Sequence, residues 1–134
     1  MKILVYCFLL LSISSTANAQ WDTTNTVLEV TYQVASAIDW MQTHDIQERW
    51  IGRSKKHEGN NILGDYPSKD RIDIYFLTTS LLHLGVSYGL SKVDTPEWMP
   101  ITFCKLWQAS TATFEVGNDI RNFSMGIRLS YPIK

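Results

Sequence analysis

The chain is poor in cysteine, in charge and in catalytic signatures. Its 134 residues hold two cysteines, Cys7 in an N-terminal apolar run and Cys104 in a later one. Thiols so placed exclude a disulfide framework, and without a CxxC or a Cys/His spacing there is no zinc motif. Cys104 reads as a small buried hydrophobe. Charged residues are 19% of the chain and the formal net charge is -1, so no basic field argues for nucleic acid. There is no nucleophile elbow, P-loop or dinucleotide fingerprint, so neither a cofactor nor a metal is implied. No repeat or low-complexity segment breaks the chain. What is present is apolar content, 45% with five Trp, six Tyr and five Phe. That excludes a disordered chain, and the length gives one domain as the expectation.

Residues 1–19 have the three parts of a secretory signal. Lys2 is a short positive start, Ile3 to Leu11 an apolar core, and Ala17-Asn18-Ala19 a cleavage site ahead of Gln20. The alternative is an uncleaved anchor helix. Residues 20–134 then form a single helical domain. The first mature helix is expected over about 26–44, where Val27, Val30, Val34, Ala37, Ile38 and Met41 recur at spacings of three and four. A polar face carrying Glu29 and Asp39 runs beside them. Residues 45–67 form a long polar connector with an apolar anchor at Ile62-Leu63. Pro67 and Ser68 then open a second helix over about 69–90. Thr95-Pro96-Glu97 marks the start of a third, over about 96–121, with Pro100 able to delay it. Ser124 to Tyr131 alternates apolar and polar residues, which fits a strand or an extended tail.

The fold class expected is all-α: a three-helix membrane-associated bundle, four-helix if the signal stays, with a short extended tail. The segment from Ile74 to Leu90 holds eight strongly apolar residues and no formal charge. On the insertion scale these sum to about -4 kcal/mol, enough to insert alone. The first helix carries Glu29 and Asp39 and does not reach that. Mean hydropathy is -0.09, low for a polytopic chain. The placement of cations points the other way. Arg49, Arg53, Lys55, Lys56, Lys69 and Arg71 lie between the first two helices, and Arg121, Arg128 and Lys134 follow the third, while Lys92 stands alone in the other loop. With the mature N terminus outside, every basic segment faces the cytoplasm, as the positive-inside rule requires. The Lys55-Lys56 region then reads as a solvated loop or a contact with anionic lipid.

Several motifs resemble those of a group of small uncharacterised bacterial and phage membrane proteins. They are Asp39, Gln42 and Thr43 at the end of a first helix; the loop from His57 to Ser68; Tyr75 and His83 on a middle helix; Glu115 and Asn118 on a last one; and Gly126-Ile127-Arg128. The sequence departs from the group's pattern at Asn61, where proline is usual. The group carries no settled activity. The resemblance therefore implies an inner-membrane location in a bacterial envelope and no mechanism.

Asp39, His83 and Glu115 lie on three different helices against apolar backgrounds. In a bilayer such groups face inward and pair. With Gln42, Thr43 and Asn118 they read as a polar seam that fixes helix packing. The competing reading is a proton relay or ion site, with His57 and Glu58 at its mouth. His57-Glu58 lacks the second histidine of a zinc-protease motif, since Asn61 stands at that spacing. Gly59, Asn60, Gly64, Pro67 and Ser68 read as loop architecture. The function expected is that of a small integral envelope protein, structural or accessory to a partner membrane protein or to further copies of itself. The alternatives are a membrane-embedded enzyme or ion-handling unit, and an exported soluble helical binding protein in the periplasm.

Overall fold

A computed structural model describes residues 21–50, 62–64 and 67–129. The signal segment, His57, Glu58, Gly59, Asn60 and the end of the tail lie outside them. Among the described residues three helices make the bundle: α1 (Thr23–Asp45), α2 (Lys69–Leu90) and α3 (Phe103–Ser124). A five-residue π-helical turn, Ile46–Trp50, extends α1. No strand occurs among the described residues, and 127–129 has no regular structure.

Side-chain caps set the helix ends. α1 begins three residues earlier than the apolar spacing indicates, because Asp22 and Asn25 form a reciprocal capping box. Ser68 caps α2 by accepting from the Arg71 amide. α3 begins at Phe103, later than the Thr95-Pro96-Glu97 signal indicates. That signal makes only a turn, in which the Met99 amide donates to the Pro96 carbonyl. Pro100 disfavours helix at the residue before it, and Thr102 becomes the cap of the later start. α3 stops in a Schellman arrangement: Gly126 donates to the Phe123 carbonyl and Ile127 to that of Asn122. Gly126 has φ 82°, which favours glycine, and Gly64 reaches φ 78° in the turn before α2.

Contacts between the helices fix their directions. Asn25 meets Gln108 near one end and Gln42 meets Asn122 near the other, so α1 and α3 run parallel. Glu29 meets His83 while His44 meets Asp73, so α2 runs antiparallel to α1. α1 packs against both other helices.

The polarity of the bundle is inverted relative to a water-soluble one. Buried positions include Asn25, Glu29, Gln42, His44, His83, Gln108 and Asp119. Outside lie Val27, Val30 and Val34 of α1, Ile74, Leu77, Leu81, Leu82 and Val86 of α2, and Leu106, Phe114 and Ile120 of α3. Among the described residues the cluster of buried hydrophobics is small: Leu63, Ile72 and Phe76, with Trp40 and Tyr75 against it. No charged side chain is exposed between Asp22 and Glu48, between Arg71 and Lys92, or between Lys105 and Arg121. By average hydropathy, no helix among the described residues is long and apolar enough to cross a membrane.

Candidate functional site

The polar interior is built from one face of each helix. On α1, Asn25, Glu29, Tyr32 and Ser36 recur at three and four and are all buried. On α3, Cys104, Gln108 and Ala112 recur at four and Asp119 follows two turns later on the same face, all buried. Parallel packing brings these two stripes together, and α2 lays His83 and Ser87 across them.

Glu29 is the hub. Its carboxylate accepts from Gln33 Nε2 at 2.9 Å and from Gln108 Nε2 at 3.0 Å, and Oε1 lies 3.0 Å from His83 Nδ1. Both Glu29 and His83 are 3% exposed. His83 Nε2 lies 2.7 Å from Thr111 Oγ1, whose own hydroxyl reaches the Trp107 carbonyl at 2.8 Å. The imidazole stacks on Tyr32, centroids 3.5 Å apart, and on Trp107 at 5.3 Å. The hydrogen bonding is complete: the Glu29 carboxylate has three nitrogen partners, and both ring nitrogens of His83 have an oxygen partner. Towards the Asp22 end the network continues through Asn25 Nδ2, which donates to Gln108 Oε1 at 3.0 Å and to Cys104 Sγ at 3.2 Å. Cys104 donates in turn to the Ser87 carbonyl.

At the other end Asn122 Nδ2 donates to Asp39 Oδ1 at 3.1 Å and to Gln42 Oε1 at 2.8 Å, and Gln42 donates to the Asp119 carbonyl. Asp73 Oδ1 receives Trp40 Nε1 and faces His44 Nε2, each at 2.9 Å. Charged clasps close both ends of the bundle. Lys105 Nζ holds Asp22 at 2.6 Å and, with the Asn25 amide, lowers that carboxyl from its ordinary value. Burial opposes the charge on Asp45, but Arg49 and the Arg128 amide outweigh it, and its carboxyl is lowered as well.

Between α2 and α3 lies an open groove of about 420 Å³. Thr79, Leu82, His83 and Val86 form one wall; Trp107, Ser110, Thr111, Phe114 and Glu115 form the other, with Tyr32 at the back. Leu82 and Phe114 are 61% and 69% exposed, so the groove opens onto the apolar outer surface.

Among the residues expected to matter, His83 and Glu115 share this groove. Asp39 does not join them; it is held by Asn122, about two helical turns beyond Glu115. Gln42 and Thr43 are buried, and Asn118 is half-buried with no hydrogen bond among the described residues. Gly64, Pro67 and Ser68 form the entry to α2. Sequence reasoning missed Glu29, Asn25, Gln108 and Asn122 as members of the network. The four-residue spacing of Asn25 and Glu29, and of Gln108 from Cys104, was the available signal for three of them. Comparisons with protein-family models, with curated proteins and with solved structures gave no match.

Proposed function

We propose that the chain is a small integral membrane protein of the bacterial envelope, with its mature N terminus outside and a structural or accessory role beside a partner membrane protein. One observation carries the reading: polar groups are inside the bundle and apolar ones outside. In water this arrangement forfeits the hydrophobic effect and leaves large apolar side chains wet. In a bilayer it is the required one, since unsatisfied polar groups are costly there and intramembrane charges face the bundle interior and pair.

The dimensions agree. At 1.5 Å per residue, the stretch free of exposed charge spans about 30 Å on α2 and about 25 Å on α3. A hydrocarbon core is about 30 Å thick, and Lys105 reaches outward to Asp22 at the margin of the shorter span. Two outward-facing hydroxyls are satisfied within their own helix. Thr31 donates to the Val27 carbonyl at 2.8 Å and Thr113 to that of Ala109 at 2.7 Å, so neither needs water.

The Glu29–His83 pair, met by Gln33, Gln108 and Thr111, supports a packing device more than a transport path. Its hydrogen bonds are complete, and a relay needs groups left ready to exchange. The test is threading. In inverted and right-side-out vesicles, single cysteines at Lys69 and Lys92 are expected to label from opposite sides, with the chain retained through alkaline carbonate. Labelling of both from one side, or release of the chain by carbonate, contradicts the reading.

A further inference from the structure

We infer that the groove between α2 and α3 receives a transmembrane helix of a partner protein, one that carries a lysine or arginine at mid-depth to pair with Glu115. The inference rests on the bilayer reading and names the chemistry of the partner. Among the described residues Glu115 makes no hydrogen bond and no ion pair, although it lines the groove half-buried. The nearby imidazole of His83 is already committed to Glu29 and Thr111. Glu115 lies near the middle of the segment from Lys105 to Arg121, and His83 near the middle of that from Arg71 to Lys92, so the groove sits at mid-bilayer. An acidic group there is costly until a cation or donor meets it.

The occupant follows by elimination. A lipid's cationic head group stays at the interface and does not reach this depth. A second copy of the chain supplies no cation, because the lysines and arginines of the three helices sit near their ends. A helix with a central basic residue supplies both the charge and an apolar surface for Leu82, Val86 and Phe114. The walls are also shaped for a close approach. Gly85 and Gly89 on α2 continue the face of Leu82 and Val86, and Gly117 continues that of Ser110 and Phe114. A Cβ at any of the three meets nothing within 4 Å, so packing within the chain does not require these glycines. Spacing of small residues by four is how membrane helices let a neighbour come near.

The experiment uses the full chain with a C-terminal fluorescent protein in phosphatidylcholine/phosphatidylglycerol vesicles. Labelled leucine–alanine transmembrane peptides with a central Lys, Leu or Glu serve as probes, and energy transfer reports binding. The Lys peptide is expected to bind at least tenfold more tightly than the Leu peptide. Glu115→Gln should remove that preference, and Glu115→Lys should transfer it to the Glu peptide. Gly85→Leu combined with Gly89→Leu should weaken the Lys peptide at least tenfold. Helix content by circular dichroism checks that each variant is folded, and the charge-reversal pair keeps the test decisive if one is not. Equal binding of the Lys and Leu peptides, or a preference that survives Glu115→Gln, overturns the inference. If the chain stays in carbonate-washed vesicles, that result sinks the inference alone. Release by the wash sinks the bilayer reading and the inference with it.

Discussion

Removing the imidazole of His83 is the most informative single change to the polar interior. Glu29 and His83 are each 3% exposed, so neither charge is replaced by solvent when its partner goes. Breaking a buried ion pair from one side costs about 3–5 kcal/mol, because the remaining charge is stranded. A neutral side-chain hydrogen bond between membrane helices averages only about 0.6 kcal/mol. The two descriptions of the contact therefore differ severalfold. For His83→Gln the expected loss is about 3 kcal/mol, near the low end, because Gln33 and Gln108 still donate to Glu29. Stacking on Tyr32 and Trp107 is lost too, at about 0.5–1.5 kcal/mol for each ring. Glu29→Gln should cost less, since the glutamine oxygen can still accept from His83 Nδ1 and from Gln108. The double variant Glu29→Gln/His83→Gln should be more stable than the sum of the two losses implies, by about 2 kcal/mol. Unfolding in mixed detergent micelles, followed by circular dichroism, gives all four corners of the cycle. A loss under about 1 kcal/mol for His83→Gln with additive singles refutes the ion-pair account.

Other changes probe the frame around that pair. Leu81, 46% exposed at mid-band, should not accept lysine: Leu81→Lys is expected to lower insertion by about 3 kcal/mol in a translocon assay, whereas Lys92→Leu should not. Thr102→Ala should cost about 1 kcal/mol in the same unfolding assay by removing the α3 cap. Gly126→Ala should cost about 1 kcal/mol through strain at φ 82°. Asp45 has a lowered carboxyl in the folded chain, so its contribution is full above the unfolded value and is lost as pH falls through the folded one. Acid titration of stability should therefore show a smaller loss at low pH in Asp45→Asn than in the parent.

Much of the frame is legible in the sequence. The limits of α2 follow from Pro67 and Ser68 at one end and from Gly89 with the Ser91-Lys92 pair at the other. The periodic apolar positions of α1 and α3 likewise give helices. Which face turns inward is not legible, because a period of 3.6 is the same for a polar-in and a polar-out helix. Glu29, grouped by spacing with a polar face, is interior here, while Val27, Val30 and Val34 are outside. The partner of His83 also escapes sequence reasoning. Depth depends on helix direction and register, and the parallel packing of α1 on α3 places Glu29, not Asp39, beside it. The late start of α3 reflects a competition between two cap signals, Thr95 and Thr102, that Pro100 decides.

The central claim is that the apolar outer surface of this bundle meets lipid. Spin labels at Val34, Leu81 and Phe114 in reconstituted vesicles test it directly through collision with oxygen, which favours the bilayer, against a nickel chelate, which favours water. The account predicts oxygen-dominated relaxation at all three positions and nickel-dominated relaxation at Lys92. Nickel-dominated relaxation at Leu81 and Phe114 would contradict it.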